Sequence, residues 1–228
     1  MSTAERSATQ NPQPPLRWSL VVPVKVLARA KTRMSGAAGQ HREALALAVA
    51  ADTVAALLRC DRVGRVIVVT DDPVPAAELT ALGARIVPDE PDAGLNPALR
   101  YGASRGRESA PEDGVGAISA DLPALRPEEL ARALDAAAES PEAFVPDAAG
   151  VGTTLYTARP GVPFSPAFGR DSRAAHRARG ARELLLPGID SVRRDVDTLD
   201  DLRAALALGT GPRTAAVAEL LPAVRASA

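Results

Sequence analysis

Lys25 and Lys31 are the only lysines among 27 basic residues, and Arg33 follows them across Thr32. A lysine ammonium is a compact point charge on a flexible stem, whereas arginine is a planar fork. A chain that writes arginine elsewhere but keeps lysine at two nearby positions points to slim cations reaching an anionic group. Carboxylates stand at two other places, Asp121 in Ala120-Asp121-Leu122-Pro123 and the pair Asp195 and Asp197 in Asp195-Val196-Asp197-Thr198. Together these residues describe a metal–polyphosphate site. The acids hold Mg²⁺ (or Mn²⁺), while Lys25, Lys31 and Arg33 neutralise phosphate oxygens.

Other chemistries are poorly supplied. Cys60 is the sole cysteine and the chain has two histidines, His41 and His176, which excludes an internal disulfide and disfavours zinc or histidine-rich centres. Cys60 itself reads as a small buried apolar residue. There is no G-x-x-x-x-G-K-[ST] loop, no G-x-G-x-x-G opening a helix after the first apolar run, and no G-x-S-x-G elbow. A formal charge of −1 draws the protein to neither nucleic acid nor anionic membrane, and 3% aromatic residues build no stacking platform for bases.

The elements that position these residues follow from the apolar pattern. Strands are expected over 18–24, 65–70, 84–87 and 114–119, alternating with helices over 41–58, 76–82, 98–107 and 126–139. That alternation predicts right-handed β-α-β units and a mostly parallel central sheet with helices on both faces. Beyond Pro141 the pattern changes. Strand-like runs over 143–146 and 153–158 precede a proline-rich stretch and a basic helix over 172–179. A strand over 191–196 then leads to a helix over 198–208 with Thr198 as its N-cap. In such sheets ligands sit beyond the carboxyl ends of strands. The Lys25 loop follows the first strand, Asp121 the fourth, and Asp195 and Asp197 the late one. Arg170, Arg173, Arg177 and Arg179 form either a solvated helix face or an anion contact.

No run approaches about 20 apolar residues, so no membrane span is expected. Residues 1–16 are polar and proline-bearing, without the apolar stretch of a signal peptide. They read as a disordered tail before one domain over 17–222, in a cytoplasmic protein.

An ordered set of motifs resembles the 2-phospholactate/phosphoenolpyruvate guanylyltransferases of coenzyme F-420 biosynthesis. It comprises Pro23-Val24-Lys25 with Ala30-Lys31-Thr32-Arg33, Gly94-Leu95-Asn96 with Ala98, Asp121-Leu122-Pro123, Gly150-Val151-Gly152-Thr153, Phe168-Gly169-Arg170-Asp171-Ser172 with His176, and Asp195-Val196-Asp197-Thr198. Ala120 and Arg170 depart from the family's usual Gly and Pro. The resemblance implies a single-domain, Rossmann-like α/β nucleotidyltransferase fold similar to the molybdenum-cofactor guanylyltransferases. It implies GTP as donor and phosphoenolpyruvate or 2-phospho-L-lactate as acceptor, with a downstream phosphotransferase consuming a labile product. By position, Lys25, Lys31, Leu95 and Asn96 bind the nucleotide, and Thr153, Gly169 and Ser172 bind the acceptor. Asp121, Asp195 and Asp197 hold the metal, and Lys25, Lys31, Arg33 and Asp121 form the catalytic set. A phosphate acceptor is already an anion at neutral pH and needs no general base, in keeping with the lack of an obvious catalytic histidine. Two other readings remain at this level: a nucleotidyltransferase for another phosphorylated acceptor, and a catalytically silent nucleotide-binding domain.

Overall fold

The computed structural model describes residues 14–27 and 35–225. Lys31 and Arg33 therefore lie outside the described residues. A valine-rich apolar run makes β1 (Trp18–Pro23), and its side chains alternate between two cores. Leu20 and Val22 join one core with Val54, Leu57 and Leu130, and Val21 joins the other with Ile67, Leu99 and Tyr156. The remaining strands are β2 (Val63–Val69), β3 (Arg85–Val87), β4 (Gly114–Ile118), β5 (Glu142–Pro146), β6 (Thr153–Ala158) and β7 (Arg182–Glu183). They form a seven-stranded sheet in the order β3-β2-β1-β4-β6-β5-β7. Every pairing is parallel except those of β6 with β4 and β5, so β6 alone runs backwards. The order reverses between β1 and β4, which opens a crevice at their carboxyl ends.

In the first half a short helix stands where none is expected, α1 (Ser35–Ala38), and the rest follow the expected sites closely: α2 (Arg42–Arg59), α3 (Pro73–Leu82), α4 (Leu95–Ser109) and α5 (Pro127–Ala137). Asp72 caps α3 by accepting from the Val74 N–H, and Gly83, in the left-handed region at φ 108°, ends it. Helix α4 lies unusually close to the sheet. A Cβ at Gly102 would meet Val21 Cγ1 at 2.6 Å, so only glycine allows this approach. Leu16, expected in the tail, packs against the core instead.

After α6 (Ser172–Ala178) the chain departs from expectation. The strand expected over 191–196 is absent; the chain forms α7 (Asp190–Arg193) and then an irregular link. The cause is a long-range carboxylate. Glu129 accepts from both the N–H (2.9 Å) and the hydroxyl (2.8 Å) of Ser191, fixing that backbone against α5 rather than in a ladder. Three helices finish the described chain, α8 (Leu199–Leu208), α9 (Pro212–Ala218) and α10 (Pro222–Arg225). Thr198 caps α8 as expected, in a reciprocal box with Asp201. Asp52, buried in α2, accepts from the N–H groups of Arg213 (3.3 Å) and Thr214 (2.7 Å) and so caps α9 from outside. Among the described residues no helix is long and apolar enough to cross a membrane.

Candidate active site

A cleft of about 400 Å³ opens at the β1/β4 reversal. Lys25 enters it from the end of β1, Asp121 from the end of β4, and Asp197 from the link before α8. Leu27, Val49, Leu95, Leu99 and Phe168 give it an apolar wall. Four of the expected site residues, Lys25, Leu95, Asp121 and Asp197, thus share one cavity.

Long-range hydrogen bonds hold the loops that carry these side chains. Asp72 Oδ2 accepts from the Leu27 N–H (2.9 Å), and Arg42 donates to the Leu27 carbonyl (3.3 Å). Both backbone groups two residues beyond Lys25 are therefore fixed. The Thr53 hydroxyl accepts from the Leu122 N–H (3.0 Å), pinning the peptide after Asp121 to α2. Val196 N–H donates to the Asp121 carbonyl (3.0 Å), so Asp195 and Asp197 flank a residue bonded directly to the Asp121 backbone. The two acidic segments meet as expected, although the second leaves a helix rather than a strand.

Burial pushes the Asp195 carboxyl up to about 7, helped by the negative charges of Asp121, Asp147 and Asp197. Carboxylates crowded in this way have the donor chemistry of a site for a hard divalent cation. Among the described residues, no three Asp, Glu, His or Cys side chains already converge as a metal cage. Asp147, unnoticed in the sequence, is tied down locally, accepting from the N–H groups of Val151 (2.9 Å) and Gly152 (2.8 Å).

Thr153, Gly169 and Ser172 do not line the cleft, but Phe168, beside Gly169, does. Reversed β6 brings its first residue, Thr153, to the carboxyl end of β4, where Ser119 N–H pairs with the Thr154 carbonyl (2.9 Å). Thr153 and Ser172 are buried, whereas Gly169 is exposed and adopts φ 134°. His176 is fully buried, stacked on Tyr156 at 4.6 Å between ring centroids. Its Nε2 accepts from the Ala167 N–H (2.9 Å), so Nδ1 carries the proton and donates to Thr153 Oγ1 (3.0 Å). Burial, with Arg179 nearby, lowers its pKa to about 4. His176 is a neutral strut and not a base.

Two arginines of the basic helix are structural. Arg173 pairs with Glu183 (2.6 Å) and donates to the Gly150 carbonyl (2.8 Å); Arg177 approaches the same Glu183 (3.5 Å). Asn96, expected at the nucleotide, spends both ends of its carboxamide on Phe168. Its Nδ2 donates to the Phe168 carbonyl (2.9 Å) and its Oδ1 accepts from the Phe168 N–H (2.8 Å).

A family model described as guanylyl transferase CofC like matches residues 18–219. A phosphoenolpyruvate guanylyltransferase from Thermomonospora curvata is 73% identical over 208 residues, covering 91% of each chain. One from Streptosporangium roseum is 64% identical over 202 residues, covering 89% of this chain and 90% of that one. Among solved structures, a protein from Desulfovibrio desulfuricans G20 assigned as a nucleotide-diphospho-sugar transferase superposes with a TM-score of 0.68 at 18% identity, covering 92% of this chain and 97% of that one. A 4-diphosphocytidyl-2C-methyl-D-erythritol synthase gives 0.57 at 15% identity, covering 85% of this chain and 99% of that one. At these identities the two structures speak for the fold alone, a single-domain α/β nucleotidyltransferase fold.

Proposed function

The chain belongs to the guanylyl transferase CofC-like family, and from that premise we propose that it transfers GMP from GTP to phosphoenolpyruvate, releasing pyrophosphate. One observation carries the reading: Lys25, Asp121 and Asp197 gather around one cleft at the point where the strand order reverses. In the reaction a phosphate oxygen of the acceptor attacks the α-phosphorus of GTP. The bond to the β-phosphate oxygen breaks, and pyrophosphate leaves with its electron pair. The product is enolpyruvoyl-2-diphospho-5'-guanosine, an intermediate of coenzyme F-420 biosynthesis.

Lys25 offsets charge on the triphosphate, joined by Lys31 and Arg33 from the same loop. Leu95 and Leu99 shield one face of the nucleoside from water. Thr153, Gly169 and Ser172 hold the acceptor's anionic groups, on the side of the cleft that Phe168 borders. Asp121 and Asp197 would hold a divalent ion, Mg²⁺ or Mn²⁺, with Asp195 beside them. When bound, that ion supplies positive charge that lets two polyanions approach. The acceptor oxygen is already deprotonated, so the reaction draws on no general base, and His176, neutral and bonded at both nitrogens, offers none. The substrates place the enzyme in the cytoplasm, feeding a phosphotransferase that consumes the labile diphosphate product.

The test is pyrophosphate release from GTP and Mg²⁺ with phosphoenolpyruvate, 2-phospho-L-lactate and 3-phosphoglycerate in parallel, the product being trapped by rapid quenching. Release that depends on phosphoenolpyruvate is expected. GTP binding with turnover on none of the three acids would leave a silent nucleotide-binding domain instead.

A further inference from the structure

The proline-rich segment between β6 and α6 has no regular structure, yet side chains engage five of its backbone groups where it nears the cleft. Pro163 and Pro166 have no N–H to satisfy. Three others find side chains. The N–H of Ser165 donates to the Tyr156 hydroxyl (3.3 Å), that of Ala167 to His176 Nε2 (2.9 Å) and that of Phe168 to Asn96 Oδ1 (2.8 Å). The carbonyls of Ser165 and Phe168 accept from Arg179 (3.1 Å) and Asn96 (2.9 Å). A carboxamide that exchanges both bonds with the N–H and carbonyl of one residue imitates a rung of a β-ladder. Asn96 belongs to α4, whose Leu95 and Leu99 line the cleft. His176 belongs to α6 and also bonds Thr153.

We propose that Asn96 and His176 act as a clamp on the two successive peptides of Ala167 and Phe168, making both of them positioning residues for the acceptor. This rests on the acceptor assignment made above. Two consequences follow from the hydrogen-bond directions. With Nε2 occupied by Ala167, His176 must give its one proton to Thr153, which leaves the Thr153 hydroxyl hydrogen to donate elsewhere, toward an anionic oxygen. With both carboxamide atoms on Phe168, Asn96 fixes the Phe168 ring against the cleft and sets where the turn at Gly169 begins. The ring of Phe168, held by Asn96, also meets His176 edge-on at 5.6 Å, so the residue that one half of the clamp holds rests against the other half. Asn96 then governs the acceptor although it sits on the helix that faces the nucleotide.

The test compares Asn96→Ala, His176→Gln and the double variant with the parent protein. His176→Gln keeps an acceptor near the Nε2 position and loses the donor to Thr153; His176→Asn does the reverse. Expected in Asn96→Ala and His176→Gln are at least tenfold rises in KM for phosphoenolpyruvate, with kcat and the Kd for GTP within about twofold. The double variant should fall short of the product of the two single effects, because the two side chains hold neighbouring peptides. Hydrogen exchange over residues 162–171 is read on the same proteins and needs no acceptor. It should quicken by at least tenfold in Asn96→Ala, a half-buried helix position that tolerates alanine. Unchanged exchange, or a rise in the Kd for GTP with KM for phosphoenolpyruvate constant, would overturn the clamp. Absent turnover in the parent protein with quickened exchange in the variants would instead overturn the acceptor assignment and leave the clamp standing.

Discussion

At Asp121, position and environment come from different parts of the chain. The carboxylate follows β4, but its loop is held by Thr53 from α2 and by Val196 from the link before α8. Asp121→Ala removes a half-buried side chain and none of these backbone bonds. Its thermal midpoint is expected to stay within a few degrees of the parent, while kcat falls by about a hundredfold or more, the scale of losing a charge that stabilises the transition state. Near-normal turnover in that variant would remove the metal assignment. His176 gives a second expectation, with a sign. Its pKa falls from 6.5 to about 4 on folding, because the buried ring cannot be hydrated when charged. Between those values the unfolded chain binds a proton that the folded one refuses. The contribution is therefore present above about pH 6.5 and is lost as pH drops toward 4. Urea midpoints measured from pH 7 to 4 should fall more steeply for the parent than for His176→Gln; parallel slopes would show the ring to be solvated. Lys25, Asp121 and Asp197, which share the cleft, were legible from residue type and from their places after apolar runs. The work of Asp72, Thr53 and Asn96 was not, because each acts on a peptide far along the chain and nothing local marks the partner.

Helix α4 shows how an element constrains the cleft. Gly102 and Gly106, one turn apart, let it lie against β1 and β2, with a Cβ at Gly102 only 2.6 Å from Val21 and 2.8 Å from Val69. Alanine at Gly102 would gain about 1 kcal/mol of helix propensity. Overpacking against two valines that are themselves buried costs about 1–3 kcal/mol. Gly102→Ala is therefore expected to be destabilised on balance, and Leu95 and Leu99 to be displaced from the cleft. A denaturation midpoint equal to or above the parent's would mean that the helix rides outward without strain. The first-half elements were readable because each strand is a short apolar run with turn residues at its ends. Residues 191–196 misled for a physical reason. Ser-Val-Arg-Arg-Asp-Val has only two apolar residues, Val192 and Val196, a spacing that fits a helical turn as well as a strand, and Glu129 takes the Ser191 N–H and hydroxyl that a ladder would leave differently placed. Edge strand β7 and helices α9 and α10 were too short to give a period.

Taken whole, the protein is one sheet with its site shared among distant segments, so its parts should not unfold separately. Trp18, the sole tryptophan, is buried in β1 near the middle of the sheet, with its ring against Gly114 of β4. Its fluorescence and the far-ultraviolet circular dichroism are expected to follow one denaturation curve. Divergent curves would identify the β5–β7 side as a separate unit. The parallel sheet was foreseen; the backward run of β6 was not, since strand direction is set by connection geometry and leaves little trace in composition. One feature also bears on how the molecule comes into being. Asp52 is buried in α2, yet the N–H groups it needs belong to residues 161 and 162 positions later. On the ribosome α2 emerges long before them. The same segment also covers it, since a Cβ at Gly211 would meet the Asp52 carboxyl carbon at 2.3 Å, so until α9 docks that side of the carboxylate stays open to water. Docking of α9 then exchanges that water for two backbone donors, so the late helix is joined to the amino-terminal half by a charge that it both buries and satisfies.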